Sequence, residues 1–568
     1  MNERKIMEID GIPVEIKGER NLLDLIRANG VEMPTFCYHT ELSIYGACRM
    51  CMVEDERGRL MASCSTIPKA GMKIRTNTRR LRKYRKNILE LLLANHDRDC
   101  TTCGKSGSCK LQSLALQFGI DKVRYPQTKP EADIDRSSPC IVRNPSKCIL
   151  CGDCVRECNE VQNVGAIDFS FRGASAKINT AFGRPIAQTE CVGCGRCTAA
   201  CPTGALTIHD NTEQVWQQLD NPEVYVTCEV APAVRVALSE GLGLQGDENA
   251  MGRIVAALHR MGVDQVYDTS TGADLTVIEE ADELIERLDS GKDLPMFSSC
   301  CPAWIQYAEK KYPEFLPNIS TCRSPMGMFA SVVKEDYREK PENKDRKHFH
   351  FAVMPCTAKK FEAARDEFCV DGEPNTDAVI TTQELIRMIR ESGIIYQSLS
   401  PEAVDTPFGN SSGAGVIFGV TGGVTEAVLR KISEDDSRSP LAHLAFVGVR
   451  GMESVKEATV PYKNREIHIA VVSGLANASA LLDQIKAGDK HYDFVEVMAC
   501  PGGCISGAGQ PYISEAGREK RGQGLYAADR MNTTRRSQDN PLMKELYGTL
   551  LKDRRHQLLH VDYVKADK

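Results

Sequence analysis

Two short stretches hold the chain's densest chemistry: CILCGDCVREC, from Cys148 to Cys158, and CVGCGRCTAACP, from Cys191 to Pro202. Each is a C-x2-C-x2-C-x3-C run, the spacing with which thiolates hold 4Fe-4S clusters. In two-cluster arrangements the fourth cysteine of each run crosses to the other cluster. The spacing therefore assigns Cys148, Cys151, Cys154 and Cys201 to one cluster, and Cys191, Cys194, Cys197 and Cys158 to a second. Proline follows the second run; Asn159 stands in its place after the first and leaves the ligand count intact. Zinc is the alternative for any group of thiols, but paired runs of this kind are not zinc spacings.

A third group, Cys37, Cys48, Cys51 and Cys64, has long unequal intervals that suit a 2Fe-2S cluster better than a zinc ribbon. The elements before it are legible. MEIDGIPVEI predicts two short strands around an Asp10-Gly11 turn. Asn21 predicts the cap of a helix carrying Leu22, Leu23, Leu25 and Ile26 and ending at Gly30. His96, Cys100, Cys103 and Cys109 form a fourth group after a basic amphipathic helix around Leu81 to Leu93. One histidine and three cysteines suit structural zinc as well as a 4Fe-4S cluster. The redox clusters on either side favour iron.

At 568 residues the chain implies three or four domains. A net charge of -6 argues against nucleic acid or an anionic membrane as partner. No apolar run is long enough to span a bilayer, and MNERKIMEIDG is too charged for a signal peptide, so a cytoplasmic protein is expected. There the 24 cysteines would stay reduced, and cysteine points to metal or catalysis.

The C-terminal part, from about residue 212, carries cysteines in separated loops: FSSCCPAW, VMPCTAKKFE and VMACPGGCISGAGQP. Glycine and proline beside cysteine leave the thiol open to a ligand. In TVIEEADELIERL, Val277, Ala281, Leu284 and Leu288 form an apolar stripe, with Glu280, Glu283 and Arg287 together on its flank. Periodicity alone favours a solvated ion-pair face there. SSGAGVIFGVTGG lacks phosphate-loop spacing and reads as pocket wall.

In the order of these loops and of the cluster groups before them, the chain resembles the FeFe (iron-only) hydrogenases, from about residue 3 to LLHVDY near the end. The resemblance implies that Cys301, Cys356, Cys500 and Cys504 bind a 4Fe-4S cluster. Cys504 would bridge it to a two-iron subcluster carrying CO and cyanide, the whole being the H-cluster. It also implies that Cys300 is a proton-delivering thiol, that Lys359 donates to a cyanide ligand, and that Arg287, Glu283, Ser320 and Glu280 form the proton relay. Ala231, Pro232, Pro325, Met354, Phe418 and Met498 match the pocket wall. The implied fold is modular α+β and α/β: a β-grasp 2Fe-2S ferredoxin-like domain at 1–78, a histidine-ligated 4Fe-4S domain at 79–125, a two-cluster ferredoxin-like domain at 126–211 and a two-lobed α/β catalytic domain at 212–568. One 2Fe-2S and three accessory 4Fe-4S clusters would feed the H-cluster. Ferredoxin is the expected electron carrier, and dedicated maturation proteins would build the two-iron unit.

Ser298, Met326-Gly327 and Ala508 depart from the commonest family pattern without touching a ligand, which bears on tuning of the chemistry. Cys140, Cys228, Cys322 and Cys369 read as structural. Two rival readings are a subunit of an NAD(P)-linked or electron-bifurcating hydrogenase, whose nicotinamide would need another subunit, and a non-catalytic relative serving hydrogen sensing or iron-sulfur assembly. Retention of Cys300, Lys359, Glu280 and Glu283 weighs against the last.

Overall fold

The Asp10-Gly11 turn forms with positive φ at both residues (52° and 87°), the geometry a tight hairpin asks for. It joins strands β1 (Ile6–Ile9) and β2 (Ile12–Glu15) in antiparallel register. The structure is a computed structural model, and it describes residues 5–129, 132–244, 250–340, 345–432, 448–463, 465–513 and 515–563. With β3 (Met52–Asp55), β4 (Leu60–Ala62) and β5 (Lys73–Arg75) the hairpin makes a sheet of order β2-β1-β5-β3-β4. Asn21 accepts from the Asp24 N–H and caps helix α1 (Leu22–Ala28). Leu22, Leu23, Leu25 and Ile26 are buried in this core, each contributing about 1.5–3 kcal/mol. Thr78 caps α2 (Arg79–Ala94), which ends just before His96, and α3 (Lys110–Gln117) starts at Cys109. Buried Arg85 on α2 donates to the Met50, Met52 and Thr76 carbonyls, fixing the helix to the loop that carries Cys48 and Cys51.

The chain forms two compact units. The first comprises Met1–Val161, Gly165–Thr189 and Ala200–Thr207; the second comprises Gln162–Val164, Glu190–Ala199 and Ile208–Lys568.

Two four-stranded sheets lie in the second unit among the described residues. The first has β6 (Val224–Val230), β7 (Gln265–Asp268), β9 (Lys347–Met354) and β10 (Ala378–Thr381), all parallel in the order β7-β6-β9-β10. These strands are apolar along most of their length, as a sheet covered on both faces requires. The second sheet has order β8-β13-β12-β11, with β8 (Met296–Phe297), β11 (Val455–Tyr462), β12 (Arg465–Ser473) and β13 (Phe494–Met498). Its edge hairpin β11-β12 is antiparallel and the rest parallel. Helices α4 (Pro232–Gly241), α5 (Ser270–Ser290), α6 (Pro302–Lys311), α7 (Pro325–Glu339), α8 (Ala358–Ala363), α9 (Gly423–Ile432) and α10 (Glu515–Met531) belong to this unit. Among the described residues no helix is long and apolar enough to cross a membrane.

Candidate active site

Five parallel-strand ends supply the site. Ala231 and Pro232 follow β6, Thr269 follows β7, Cys300 and Cys301 follow β8, Met354 closes β9 ahead of Cys356, and Met498 closes β13 ahead of Cys500 and Cys504. All of these residues line one cavity of about 80 Å³. Crevices at the carboxyl ends of parallel strands are where α/β sheets bind ligands. Pro232, Pro302 and Pro325 start α4, α6 and α7, where a missing N–H breaks no helical bond, and all three face the cavity. Phe418 and Gly419 complete the apolar wall, so the SSGAGVIFGVTGG segment lies where the sequence placed it.

The donor set fits a cationic iron cluster. Burial, then repulsion from the neighbouring thiols, pushes Cys356 well above the ordinary thiol value and Cys504 up to about 12. Burial also raises Cys301, whose sulfur accepts from the Ala499 N–H at 3.5 Å. Four such groups ionise together only against concentrated positive charge, which an iron-sulfur core supplies. Lys359 is buried beside them. Burial disfavours its charge, but Glu362 at 2.7 Å more than offsets this and holds it above the usual lysine value. Glu362 is fixed in turn by the Ser324 hydroxyl at 2.9 Å, and Lys359 Nζ donates to the Cys300 carbonyl at 3.3 Å.

The acidic face of α5 turns inward. Arg287 is pinned by carbonyls of Asp293, Pro317, Asn318 and Ile319 and donates to Glu283 Oε1 at 2.6 Å. Ser320 donates to Glu283 Oε2 at 2.7 Å. Glu280 is fully buried, and neither of its oxygens meets a donor at ordinary geometry among the described residues. Burial, then the nearby Glu283 charge, pushes its carboxyl up to about 8. The Arg287-Glu283-Ser320 segment is continuously hydrogen-bonded; Glu280 stands beyond it as an unpaired carboxyl whose charge is felt at Cys300.

The accessory cysteines gather in groups. Cys37 pairs with Cys48 and Cys51 with Cys64, each pair sharing a proton so that Cys48 and Cys51 fall below, and Cys37 and Cys64 rise above, the ordinary value. Burial, then Lys147, lowers His96 to about 4, and its buried Nδ1 has no partner among the described residues, as suits a neutral ligand nitrogen. Burial raises Cys109 above the ordinary thiol value, with smaller contributions from the nearby Cys103 and Cys100. Cys148, Cys151, Cys154 and Cys201 line a single cavity of about 30 Å³, the crossed set expected from the spacing. Of the remaining set, Cys191, Cys194 and Cys197 share one short stretch in the second unit. Cys194 also lines the catalytic cavity.

Sequence reasoning missed Thr269 and Ala273 as wall residues, Glu362 as the partner of Lys359, and Thr357, which donates to the Gly193 carbonyl at 2.7 Å. The i,i+3 spacing of Lys359 and Glu362 was the available signal for that pair. Met326, noted as a departure, lines the cavity, while Ser298 accepts from the Val497 N–H at 3.2 Å behind it.

Comparison with known proteins agrees with this geometry. Residues 224–508 match the iron only hydrogenase large subunit, C-terminal domain, and residues 515–566 the iron hydrogenase small subunit. Residues 6–79 match a 2Fe-2S iron-sulfur cluster binding domain, residues 85–124 the NADH-ubiquinone oxidoreductase-G iron-sulfur binding region, and residues 147–205 a 4Fe-4S dicluster domain. The chain is 41% identical to the NADP-reducing hydrogenase subunit HndD of Solidesulfovibrio fructosivorans, over 99% of both chains. It is 33% identical to iron hydrogenase 1 of Clostridium pasteurianum, over 99% of this chain and 100% of that one. A solved structure of a variant of the FeFe hydrogenase HydA1 from Chlamydomonas reinhardtii covers 62% of the chain, with 98% of its own length aligned, 37% identity and a TM-score of 0.53. Cavity, donor set and relatives agree: the chain belongs to the iron-only (FeFe) hydrogenases, oxidoreductases here equipped with accessory iron-sulfur domains.

Proposed function

We propose that the chain catalyses 2 H+ + 2 e- = H2 reversibly in the cavity at the strand ends, exchanging electrons with ferredoxin or a similar carrier through its accessory clusters. The observation that carries this reading is the convergence of Cys301, Cys356, Cys500 and Cys504 with Cys300 and Lys359 on one cavity. The four cysteines would hold the 4Fe-4S part of the H-cluster, with Cys504 bridging to the two-iron part. When bound, the H-cluster supplies the metal site at which protons and electrons combine. Ala231, Pro232, Pro325, Met354, Phe418 and Met498 exclude water, and Lys359 offers a fixed positive charge to an anionic ligand. Arg287 holds Glu283 at the outer end of the relay; Glu283 passes a proton by way of Ser320 to Glu280, which passes it to Cys300. A buried carboxyl raised to about 8 both accepts and releases a proton near neutral pH.

The accessory assignment is one 2Fe-2S cluster on Cys37, Cys48, Cys51 and Cys64, and 4Fe-4S clusters on His96 with Cys100, Cys103 and Cys109, on Cys148, Cys151, Cys154 and Cys201, and on Cys158, Cys191, Cys194 and Cys197. The family matches at 6–79, 85–124, 147–205 and 224–508 support a division into a β-grasp ferredoxin-like domain, a histidine-ligated cluster domain, a two-cluster domain and a catalytic domain. None of the 24 cysteines forms a disulfide, which suits the reducing cytoplasm.

A second reading has a specific observation behind it. Identity of 41% along the whole length of an NADP-reducing hydrogenase subunit supports membership in a complex whose other subunit handles the nicotinamide. The test is hydrogen evolution by the anaerobically matured protein, with and without any subunit that co-purifies with it, supplied with reduced ferredoxin or with NADPH. Brisk evolution from ferredoxin supports the first reading. Evolution that requires NADPH and a co-purifying flavin-containing subunit supports the second, and no evolution from any low-potential donor contradicts both.

A further inference from the structure

In β6 the alternation of side chains puts Tyr225, Thr227 and Glu229 on one face, and in β9 it puts His348, His350 and Ala352 on one face. The parallel register sets Tyr225 opposite His348, Thr227 opposite His350, and Glu229 opposite Ala352. Polar groups from two neighbouring strands are thereby stacked along one line in an otherwise apolar sheet. Thr227 Oγ1 lies 2.8 Å from His348 Nε2 and 2.8 Å from His350 Nδ1. His350 Nε2 lies 3.2 Å from Glu229 Oε1, both side chains being fully buried. Thr269, in the turn after β7, donates to Glu229 Oε2 at 2.8 Å, and Thr269 lines the catalytic cavity.

We propose that Thr269, Glu229, His350, Thr227 and His348 form a second proton-conducting chain, leading from the cavity to the half-buried His348 and separate from the relay that ends at Cys300. The proposal rests on the hydrogenase reading for what happens at the inner end. Every member is of a type that can both donate and accept, and each is within hydrogen-bond distance of the next. The outer end is His348, half-buried and stacked on Tyr337 at 4.1 Å between centroids. Its Nε2 faces Thr227, and its buried Nδ1 has no partner among the described residues.

The transfer balances with no electron moved. A proton accepted from the cavity by Thr269 Oγ1 releases the Thr269 proton to Glu229 Oε2. Glu229 then gives its Oε1 proton to His350 Nε2, His350 Nδ1–H passes to Thr227, and the Thr227 hydroxyl proton passes to His348 Nε2. His348, half-buried and now protonated on both ring nitrogens, gives up the Nδ1 proton outward when movement of its ring uncovers that nitrogen, and the inward path is the reverse. An unsatisfied buried carboxyl-imidazole pair is expensive, and two threonines bridge this one to both ends where apolar residues of similar size would be safer for stability.

The test uses the full-length, anaerobically prepared protein and two readouts. Infrared spectroscopy follows the protonated-carboxyl band lost in Glu229→Gln and its hydrogen-deuterium exchange, a measurement that needs no turnover. Exchange roughly 100-fold slower in His348→Phe, which keeps the ring stack, is the expected result, at the low end of what a positioned proton carrier supplies. Hydrogen evolution then compares Cys300→Ala with Cys300→Ala/Glu229→Gln in the matured enzyme, the CO and cyanide bands certifying the site. The expected result is residual turnover in the first that falls about tenfold in the second, a smaller loss than removing a main-route proton carrier brings. The proposal is overturned by the absence of a Glu229-dependent band, by exchange indifferent to His348→Phe, by no residual turnover in Cys300→Ala, or by residual turnover unmoved by Glu229→Gln. Absence of turnover in the matured wild-type protein, with normal exchange at Glu229, faults the hydrogenase reading and not the proton chain.

Discussion

The Thr357 hydroxyl donates to the Gly193 carbonyl at 2.7 Å, joining the residue after Cys356 to the loop that carries Cys191, Cys194 and Cys197. A side chain on Gly195 would meet Thr357 Oγ1 at 2.3 Å, so glycine permits the approach that places Cys194 on the cavity wall. Lys310 donates to the Cys191 carbonyl at 2.8 Å and fixes the loop from the other side. These contacts hold the 191–197 loop against the residue that follows Cys356.

Thr357→Val removes one such hydrogen bond, worth about 0.5–1.5 kcal/mol. Turnover with an external electron donor is expected to fall several-fold, while hydrogen-deuterium exchange at the active site, which needs no external electrons, stays near the wild-type rate. Equal losses in both assays would point to damage at the H-cluster site itself.

Glu283→Gln keeps the shape of the relay but removes a group that can both take and give a proton. Hydrogen evolution is expected to fall by about 100-fold or more, with unchanged infrared bands of CO and cyanide. Wild-type turnover in that variant contradicts the relay.

Glu280 gives a stability prediction with a definite sign. Its carboxyl titrates at about 8 when folded, against an ordinary 4.5. Between those values the folded chain holds a proton the unfolded chain has released, so stability falls as pH rises from about 4.5 to about 8. In Glu280→Gln that contribution is absent, and its melting temperature relative to wild type should climb across the same interval. A difference that is flat with pH shows that Glu280 is not protonated in the fold.

Arg430 on α9 is 1% exposed and donates to Glu426 at 2.5 Å and to both oxygens of Asp529 on α10, at 3.0 and 2.9 Å. Removing one member of a buried ionic network strands the others, so Arg430→Met is expected to cost about 3–5 kcal/mol. Limited proteolysis should then cut α10 first; resistance equal to wild type would show that the network does not anchor that helix.

Local patterns announced much of this molecule, because cluster ligation and helix capping depend on short spacings. Asn21 caps where it was placed, and Cys148, Cys151, Cys154 and Cys201 share one cavity. Glu280 was readable as part of a strip but not as buried, since periodicity gives the angle of a side chain and not what packs over it. Thr227, Glu229 and His350 gave no signal at all. They are brought together by strand register across more than 120 positions of sequence, and a pairing set by tertiary packing leaves no mark within either strand.

The most direct test of the central claim is hydrogen evolution from reduced methyl viologen by anaerobically matured protein, measured beside Cys300→Ala with infrared spectra of both. The account predicts CO and cyanide bands in both proteins, turnover in wild type, and a loss of about 100-fold or more in the variant. Bands in both with equal turnover would show that Cys300 does not carry the main proton flow, which contradicts the relay proposed through Glu283 and Glu280.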